Sequence, residues 1–286
     1  MTATQLDYEP PQAFPTRAAG WATITSGVNP DKHGVKGPTE IDAAQATKGG
    51  HPDFLSRIEE LAPKLNTFSA TDWGNLGQSV NGGPIISDAV DVKHATSATG
   101  VAAYDAQDQA DADAAVALLR SGAQHAGFVY FGLVNETAAV SGPTSPAYAQ
   151  AIATTDARIG QLLQALSGQD WTVIVTSSRG QPDLALPTLL PVGIGAAERG
   201  TFVVAAGAGV PQDPRGSRAR VVDIHPTVLT RVGLPGAPDL DGLPFAISTV
   251  QEATSFFGAQ RAARAFALRR ARKAARGRRG AKRRGL

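Results

Sequence analysis

The chain has 286 residues, of which 42% are hydrophobic and 18% are charged, and its formal net charge is +2. These values are typical of a globular protein with a sizeable core, and the lack of cysteine excludes disulfides, thiolate catalysis and cysteine-ligated zinc. Because the sequence has no apolar run of about 18 residues and no basic-then-apolar N-terminal layout, we expect a cytoplasmic protein without a transmembrane segment.

The predicted elements alternate between helices and strands. In chain order they are a helix over 107–119, a strand over 127–131, a helix after Ser145, and strands over 171–175 and 201–205. Ser145 is the expected N-cap of its helix, whose predicted apolar face comprises Tyr148, Ile152, Ile159, Leu162, Leu163 and Leu166. This order predicts an α/β fold with a mostly parallel central sheet and helices on both faces.

The charges divide the chain into an acidic body and a basic tail. Residues 1–260 carry 15 basic and 25 acidic side chains, a net charge of −10. We expect an N-terminal extension over 1–13, one α/β domain over 14–250 and a tail over 251–286. The tail holds twelve basic residues and no acidic residue after Glu252: Arg261, Arg264, Arg269, Arg270, Arg272, Lys273, Arg276, Arg278, Arg279, Lys282, Arg283 and Arg284.

The tail has two parts with different expected behaviour. Strong helix formers over 259–275 predict a helix, whose narrow apolar stripe would comprise Phe256, Ala259, Ala263 and Phe266. The Arg- and Gly-rich remainder is predicted to be disordered. Such a density of positive charge favours non-specific nucleic-acid binding first and an anionic membrane surface second, with a plain solubilising extension as the third interpretation.

The most informative motif lies in the turn after the strand over 171–175. In a doubly wound α/β fold such a turn carries catalytic groups. Here its sequence is Thr-Ser-Ser-Arg-Gly over 176–180, with neither a carboxylate nor an imidazole. Serine and arginine are unsuited to hold a catalytic metal ion.

Four segments in this order resemble the type I phosphodiesterase/nucleotide pyrophosphatase, or sulfatase-like, branch of the alkaline phosphatase superfamily. They are residues 20–35, 135–146, 176–180 and 222–242, so the resemblance spans roughly Phe14 to Phe245. It implies an alkaline-phosphatase-like fold and hydrolysis of phosphate or sulfate esters. It also implies two divalent metal ions, typically zinc, that activate a Thr or Ser nucleophile at a helix N-terminus.

The residues at the positions of that machinery depart from the family pattern. Arg17 stands at the nucleophile position, directly after Thr16, and Asn135 and Ala139 replace an Asp and a His. In the turn after the strand over 171–175, Ser178 and Arg179 replace the Asp-His pair. The family's opening strand, which ends in Asp-Gly, is not recognised either, because residues 1–15 do not have the pattern of a buried strand.

The five histidines do not suggest a metal site by their spacing. His33 and His225 lie in segments where the resemblance implies structural roles, so hydrogen-bonded packing is the favoured interpretation. His51, His94 and His125 are expected at the surface, without a partner close in sequence apart from Asp53 beside His51.

These observations favour a protein that has lost metal-dependent hydrolysis and acts in binding or scaffolding. Its candidate anion site comprises Arg17, Asn135, Ser178 and Arg179, where two guanidinium groups would take the place of metal charge and hold a phosphate- or sulfate-bearing molecule. An active metal-dependent phosphodiester, pyrophosphate or sulfate ester hydrolase, with Thr16 as a displaced nucleophile, is the alternative. A structural subunit of a larger assembly is a third class, and the oligomeric state stays open.

Overall fold

The computed structural model describes residues 2–6, 16–35, 50–79, 84–181, 200–207, 210 and 219–245. The basic tail and its twelve charged side chains therefore lie outside the described residues, as do the last residues of the predicted 14–250 domain. No helix in the described ranges has the length and apolar character needed to cross a membrane.

A parallel sheet forms one half of the molecule. Its strands are β2 (Thr67–Thr71), β3 (Val92–Ala95) and β4 (Ala126–Val129), in the order β3-β2-β4. Phe68 of β2 lies opposite Val92 on one side and Gly127 on the other. All five residues of β2 are buried, as expected for the central strand of a parallel sheet.

A second, antiparallel sheet has the order β1-β6-β5 and comprises β1 (Thr2–Leu6), β5 (Thr172–Thr176) and β6 (Thr201–Gly207). Val203 of β6 lies opposite Thr4 of β1 on one side and opposite Thr176 of β5 on the other. The predicted strands over 127–131, 171–175 and 201–205 are thus found within one or two residues. The N-terminal segment, in contrast, contributes a strand that the prediction missed, because its alternation of Thr with other residues was too short to stand out.

Helices connect and cover the strands. The helices before β4 are α1 (Arg17–Ser26), α2 (Pro30–His33), α3 (Phe54–Leu61), α4 (Gly74–Gly77) and α5 (Val101–Arg120). After β4 come α6 (Leu133–Ser141), α7 (Pro146–Ala165), a 3₁₀ turn (Val221–Asp223) and α8 (Ile224–Arg231). The helix predicted over 107–119 is α5, which begins six residues earlier. The predicted N-cap of α7 is confirmed, since the Ser145 hydroxyl accepts a hydrogen bond from the Tyr148 amide at 3.1 Å.

Helices cover both faces of the parallel sheet, in agreement with the predicted α/β fold class. On one face, residues of α1, α3 and α8 share a core with Ala126 and Phe128 of β4 and with Val203 of β6. On the other face, Phe68 packs against α5 and α7 through Leu119 and Ala165. Helix α1 contacts both halves, because Trp21 lies edge-on to Phe128, with 5.5 Å between the ring centroids, in the same core as β6.

The predicted apolar face of α7 is confirmed only in part, since Leu162 and Leu166 pack against the core. Its buried residues are Ala151, Arg158 and Ala165, whereas the side chains of Ile152 and Leu163 are 46% and 43% exposed. The small alanines let α7 approach α5 closely, and Arg158 donates from Nη2 to Asp105 Oδ1 of α5 at 2.7 Å. Ile152 and Leu163 therefore lie beside the contact instead of inside it.

Candidate functional site

Arg17 is held at the N-terminus of α1 by a stacking contact. Its guanidinium carbon lies 4.1 Å from the ring centroid of Trp73, which follows β2. Burial alone would lower the pKa of Arg17, but the nearby hydroxyls of Tyr130 and Tyr104 outweigh it, so the net pKa is raised and the charge is retained. Arg17 Nη1 is buried and has no hydrogen-bond partner among the described residues.

Two tyrosines frame the same guanidinium. Tyr130 follows β4 and is 4% exposed, and Tyr104 lies in the first turns of α5 and is 3% exposed. Burial raises the pKa of both phenols, although the Arg17 charge partly opposes the shift, so both are protonated at neutral pH. The Tyr130 hydroxyl, like Arg17 Nη1, makes no hydrogen bond within the described part of the chain.

Thr16 has a structural role in this helix end. Its hydroxyl oxygen accepts a hydrogen bond from the Ala19 amide at 3.2 Å, which makes Thr16 the N-cap of α1. A first-turn amide is thereby satisfied, and the side chain is held against the helix. The proposed role of Thr16 as a displaced nucleophile remains an untested prediction.

The turn after β5 packs directly on α1. A Cβ atom on Gly20 would lie 2.3 Å from the Ser178 carbonyl oxygen, so only glycine permits this approach. The Ser177 hydroxyl donates to the Arg179 carbonyl at 2.9 Å, and Arg179 Nη1 donates to the Gly180 carbonyl at 3.2 Å. Ser178 therefore lies against Gly20, which is about one helical turn after Arg17 in α1. The hydrogen bonds within residues 177–180 hold this turn in place.

Asn135 connects α6 to the same turn. Its Oδ1 accepts a hydrogen bond from Gln181 Nε2 at 3.2 Å. The structure thus brings the start of α6, the turn over 177–181 and the first turns of α1 to the carboxyl ends of β4 and β5. This is the edge at which α/β sheets bind ligands.

The two metal ions that the resemblance implies do not fit the described side chains at the expected ligand positions. Within the described ranges, no group of three or more His, Cys, Asp or Glu residues could hold a metal ion. Amide, methyl, hydroxyl and guanidinium groups occupy the expected ligand positions at Asn135, Ala139, Ser178 and Arg179, and Ala139 is exposed on α6. Of these only the amide and hydroxyl oxygens are even weak ligands, and neither carries charge.

A buried acidic cluster, which the sequence analysis missed, lies beside the site. Asp72 follows β2, and Asp108 and Asp111 face it from α5, and all three are 0% exposed. Asp108 accepts hydrogen bonds from the Gly132 and Leu133 amides at 2.8 and 3.2 Å. Its Oδ2 also lies 3.5 Å from Arg158 Nη1. The cluster therefore ties α5 to the start of α6.

The acids of this cluster do not all carry charge at neutral pH. Burial raises the pKa of Asp72 to about 10, and its contact with Asp108 adds to the shift. Burial also raises the pKa of Asp108, although its hydrogen bonds and Arg158 oppose the change. The two carboxyls therefore share one proton, with Asp72 neutral. A neutral Asp72 is not an ion-pair partner for Arg17.

The histidines follow the predictions in part. His33 and His225 are buried and hydrogen-bonded, His33 Nε2 to Thr23 Oγ1 at 2.9 Å and His225 Nδ1 to the Thr25 carbonyl at 2.6 Å, as expected. His94, in contrast, has a remote partner, because its Nδ1 lies 2.6 Å from Asp111 Oδ1.

His51 is also paired, with Nδ1 2.8 Å from Asp239 Oδ2. Both partners lie far away in sequence, so local spacing could not reveal them. Both histidines are partly exposed, which agrees in part with the surface position expected for them. His125 fits its surface assignment in part: it lies in an exposed connection, where its Nδ1 accepts a hydrogen bond from the Asn66 amide at 2.9 Å.

No protein-family model matches the chain, and no curated protein matches it. Solved structures do match. A 2-O GAG sulfatase has a TM-score of 0.58 at 11% identity, covering 90% of this chain and 66% of that one. An alkaline phosphatase superfamily protein from Vibrio parahaemolyticus has a TM-score of 0.54 at 16% identity, covering 87% of this chain and 62% of that one.

The lipoteichoic acid synthase LtaP from Listeria monocytogenes has a TM-score of 0.52 at 12% identity, covering 86% of this chain and 66% of that one. This chain thus spans 62 to 66% of the length of the three structures. At such low identities, the structural similarity shows the fold alone. This fold is an alkaline-phosphatase-like fold, as the resemblance led us to expect.

Proposed function

We propose that this chain is a metal-independent binding protein with an alkaline phosphatase fold, and that Arg17 holds the phosphate or sulfate group of its ligand. The observation that carries the proposal is the buried Arg17 Nη1, which has no acceptor in the described part of the chain. Because a buried N–H group without an acceptor is costly, an oxyanion that accepts a hydrogen bond from Nη1 would be stabilised there.

The geometry around Arg17 supports this assignment in two ways. Stacking on Trp73 uses the face of the guanidinium, so Nη1 can donate a hydrogen bond from its edge to a bound oxyanion. The Tyr130 hydroxyl, also unpartnered, adds a neutral donor nearby. The first-turn amides of α1 contribute the positive end of the helix dipole.

The remaining candidate residues would complete the site around the ligand. Asn135, Ser178 and Arg179 belong to the turn and helix that meet at the carboxyl ends of β4 and β5. They are proposed to contact the part of the ligand that carries the anionic group. Sulfate esters are the first class of ligand to examine, because one structural relative is named a sulfatase.

Titration of the full chain with sodium sulfate and sodium phosphate tests the proposal, with chloride at equal ionic strength as the reference. Saturation at about 100 times the dissociation constant should raise the free energy of unfolding by about 2.7 kcal/mol. Arg17→Gln should abolish this gain, whereas Arg120→Gln, an exposed arginine at the end of α5, should retain it. Equal gains in both variants would refute the role of Arg17.

An activity assay on the same protein distinguishes binding from hydrolysis. Purified chain with zinc or manganese should show no turnover of a nitrophenyl phosphodiester or sulfate ester, because charged ligands are missing from the metal positions. Turnover that depends on Thr16, measured with Thr16→Ser and Thr16→Ala, would support the alternative of an active hydrolase.

The basic tail supports a second proposed activity, non-specific binding of nucleic acid. Twelve positive side chains without an acid among them would release condensed counterions from a phosphate backbone. Retention on heparin and RNA should therefore fall steeply with salt concentration. A chain that ends at residue 260 and is retained equally would contradict this activity. Weaker binding to RNA than to anionic vesicles would favour a membrane surface as the partner.

A further inference from the structure

An apolar stripe runs along the exposed side of α7. Ile152, Ile159 and Leu163 form its centre, with spacings of seven and four residues that keep them on one face of the helix. Ile152 and Leu163 are 46% and 43% exposed, and the buried face of α7 lies beside the stripe at Ala151, Arg158 and Ala165. The exposed Asp156, four residues after Ile152, lies on the same side of the helix, so the row combines apolar side chains with an acid. A second helix with apolar and basic residues on one side would complement this row.

The surroundings of the stripe are acidic. Over residues 101–170, which include α5, α6 and α7, five acidic side chains are not buried (Asp105, Asp113, Glu136, Asp156 and Asp170), whereas Arg120 is the one basic side chain of this range that is exposed. Asp113 and Asp156 are exposed on the two helices that pack together here. A helix that covers the stripe should therefore be apolar on one face and strongly basic elsewhere.

The tail of the same chain has this composition. Its sequence predicts a helix with Phe256, Ala259, Ala263 and Phe266 on one face and with twelve basic residues over 261–284. From Phe256 to Phe266 such a helix rises about 15 Å, and from Ile152 to Leu163 helix α7 rises about 16 Å. The two stripes thus match in length, and small alanines in the tail would permit close approach.

The connection between the last described residue and the tail is long enough to reach α7. Phe245, the last described residue, lines a small cavity together with Thr172 and Arg231. Thr172 follows Trp171, which packs with Leu166 against the cluster that contains Ala165 at the end of α7. The ten residues over 246–255 span at most about 35 Å, which suffices to reach that helix end.

We propose that the tail segment over 256–275 docks on the exposed stripe of α7 in the same chain, antiparallel to that helix. Phe256 then lies near Leu163 and Phe266 near Ile152. The contact is an addition to the proposed function and is independent of the Arg17 site. It holds the basic residues of the segment at the acidic surface, so nucleic acid must compete with this surface for the tail.

Engineered disulfides test the proposal directly, because the chain has no cysteine of its own. Ile159→Cys with Ala259→Cys should form an intrachain disulfide at least tenfold faster than Leu61→Cys with Ala259→Cys under the same oxidant. Leu61 is the matched control, since it is 50% exposed on α3, which packs on the opposite face of the sheet. Equal rates would overturn the proposal, and so would disulfide-linked dimers alone, which would assign the stripe to a second copy.

Limited trypsin digestion of the full chain gives a second readout. Docking protects the Arg261 and Arg264 sites, so Ile152→Glu should raise the rate of cleavage there at least fivefold at low salt, whereas Leu61→Glu should leave it unchanged. Raising the salt concentration should accelerate wild-type cleavage because the charge attraction is screened. Identical rates in wild type and Ile152→Glu at low salt would overturn the docking.

Discussion

Replacing Asp72 with asparagine should stabilise the protein at neutral and alkaline pH. Asp72 is 0% exposed, and its carboxyl group lies against the buried carboxyl group of Asp108. Its ordinary pKa of 3.8 is raised to about 10, chiefly by burial. The folded protein therefore holds a proton that the unfolded chain releases, and asparagine removes that requirement while its amide still donates to Asp108.

The magnitude follows from proton linkage. Below pH 3.8 the carboxyl is neutral in both states, so it contributes no penalty there. Between pH 3.8 and about 10 the penalty grows by about 1.4 kcal/mol for each pH unit, and it is constant above that range. At pH 7 the upper limit is about 4 kcal/mol, and structure in the unfolded chain reduces it. We expect a gain of about 2 to 4 kcal/mol for Asp72→Asn at this pH.

Urea unfolding of wild type and Asp72→Asn at pH 5 and pH 8 measures this effect. The advantage of the variant should be small at pH 5 and should grow with pH. Asp113→Asn, an exposed carboxylate on the same helix as Asp108, is the control and should change stability by less than about 0.5 kcal/mol at both values. If Asp72→Asn is the less stable protein at pH 8, or if its advantage does not depend on pH, Asp72 is not held protonated.

Three further predictions concern single positions. Gly20→Ala should lower the free energy of unfolding by about 2 kcal/mol or more, since the new Cβ would lie 2.3 Å from the Ser178 carbonyl oxygen, and an unchanged urea midpoint would contradict this close approach. Stability should fall as pH drops from 6.5 towards 3, because burial lowers the pKa of His225 to about 3 and only the unfolded chain takes up the proton; His225→Gln should flatten this decline in acid titrations followed by circular dichroism. Arg158→Met should cost about 3 kcal/mol, because it removes the cation beside the buried Asp108, and addition of Asp108→Asn should recover part of that loss in a double-mutant cycle.

The sequence predicts local features of this fold well and distant contacts poorly. The start of α7 was found because an N-cap followed by proline is a signal within four residues. Its buried face was not, because the largest apolar side chains were expected in the core, whereas α7 approaches α5 through alanines and the buried Arg158. Residue size favours burial only where the neighbouring element leaves room for it.

The site shows the same division. Arg17, Asn135 and Ser178 were singled out because each stands in a motif with an order along the chain, and the structure brings their segments to one edge of the sheet. Trp73 and Tyr130 were missed because they gain their role only from the guanidinium that lies between them. The sequence did contain a signal for these residues, because an acidic or aromatic residue directly after a buried strand indicates a possible site. Asp72 and Trp73, which follow β2, are an acidic and an aromatic residue in that position.

The division of the strands into two sheets affects how the molecule opens. In the described part of the chain no backbone ladder joins β4 to β5, and α1 packs against both halves. Amide protons of the parallel half and of the antiparallel half should consequently exchange with solvent as two separate cooperative units. An oxyanion bound at the first turn of α1 should make the two halves unfold as one cooperative unit. Its binding should therefore slow hydrogen exchange in strands that are far from the binding site.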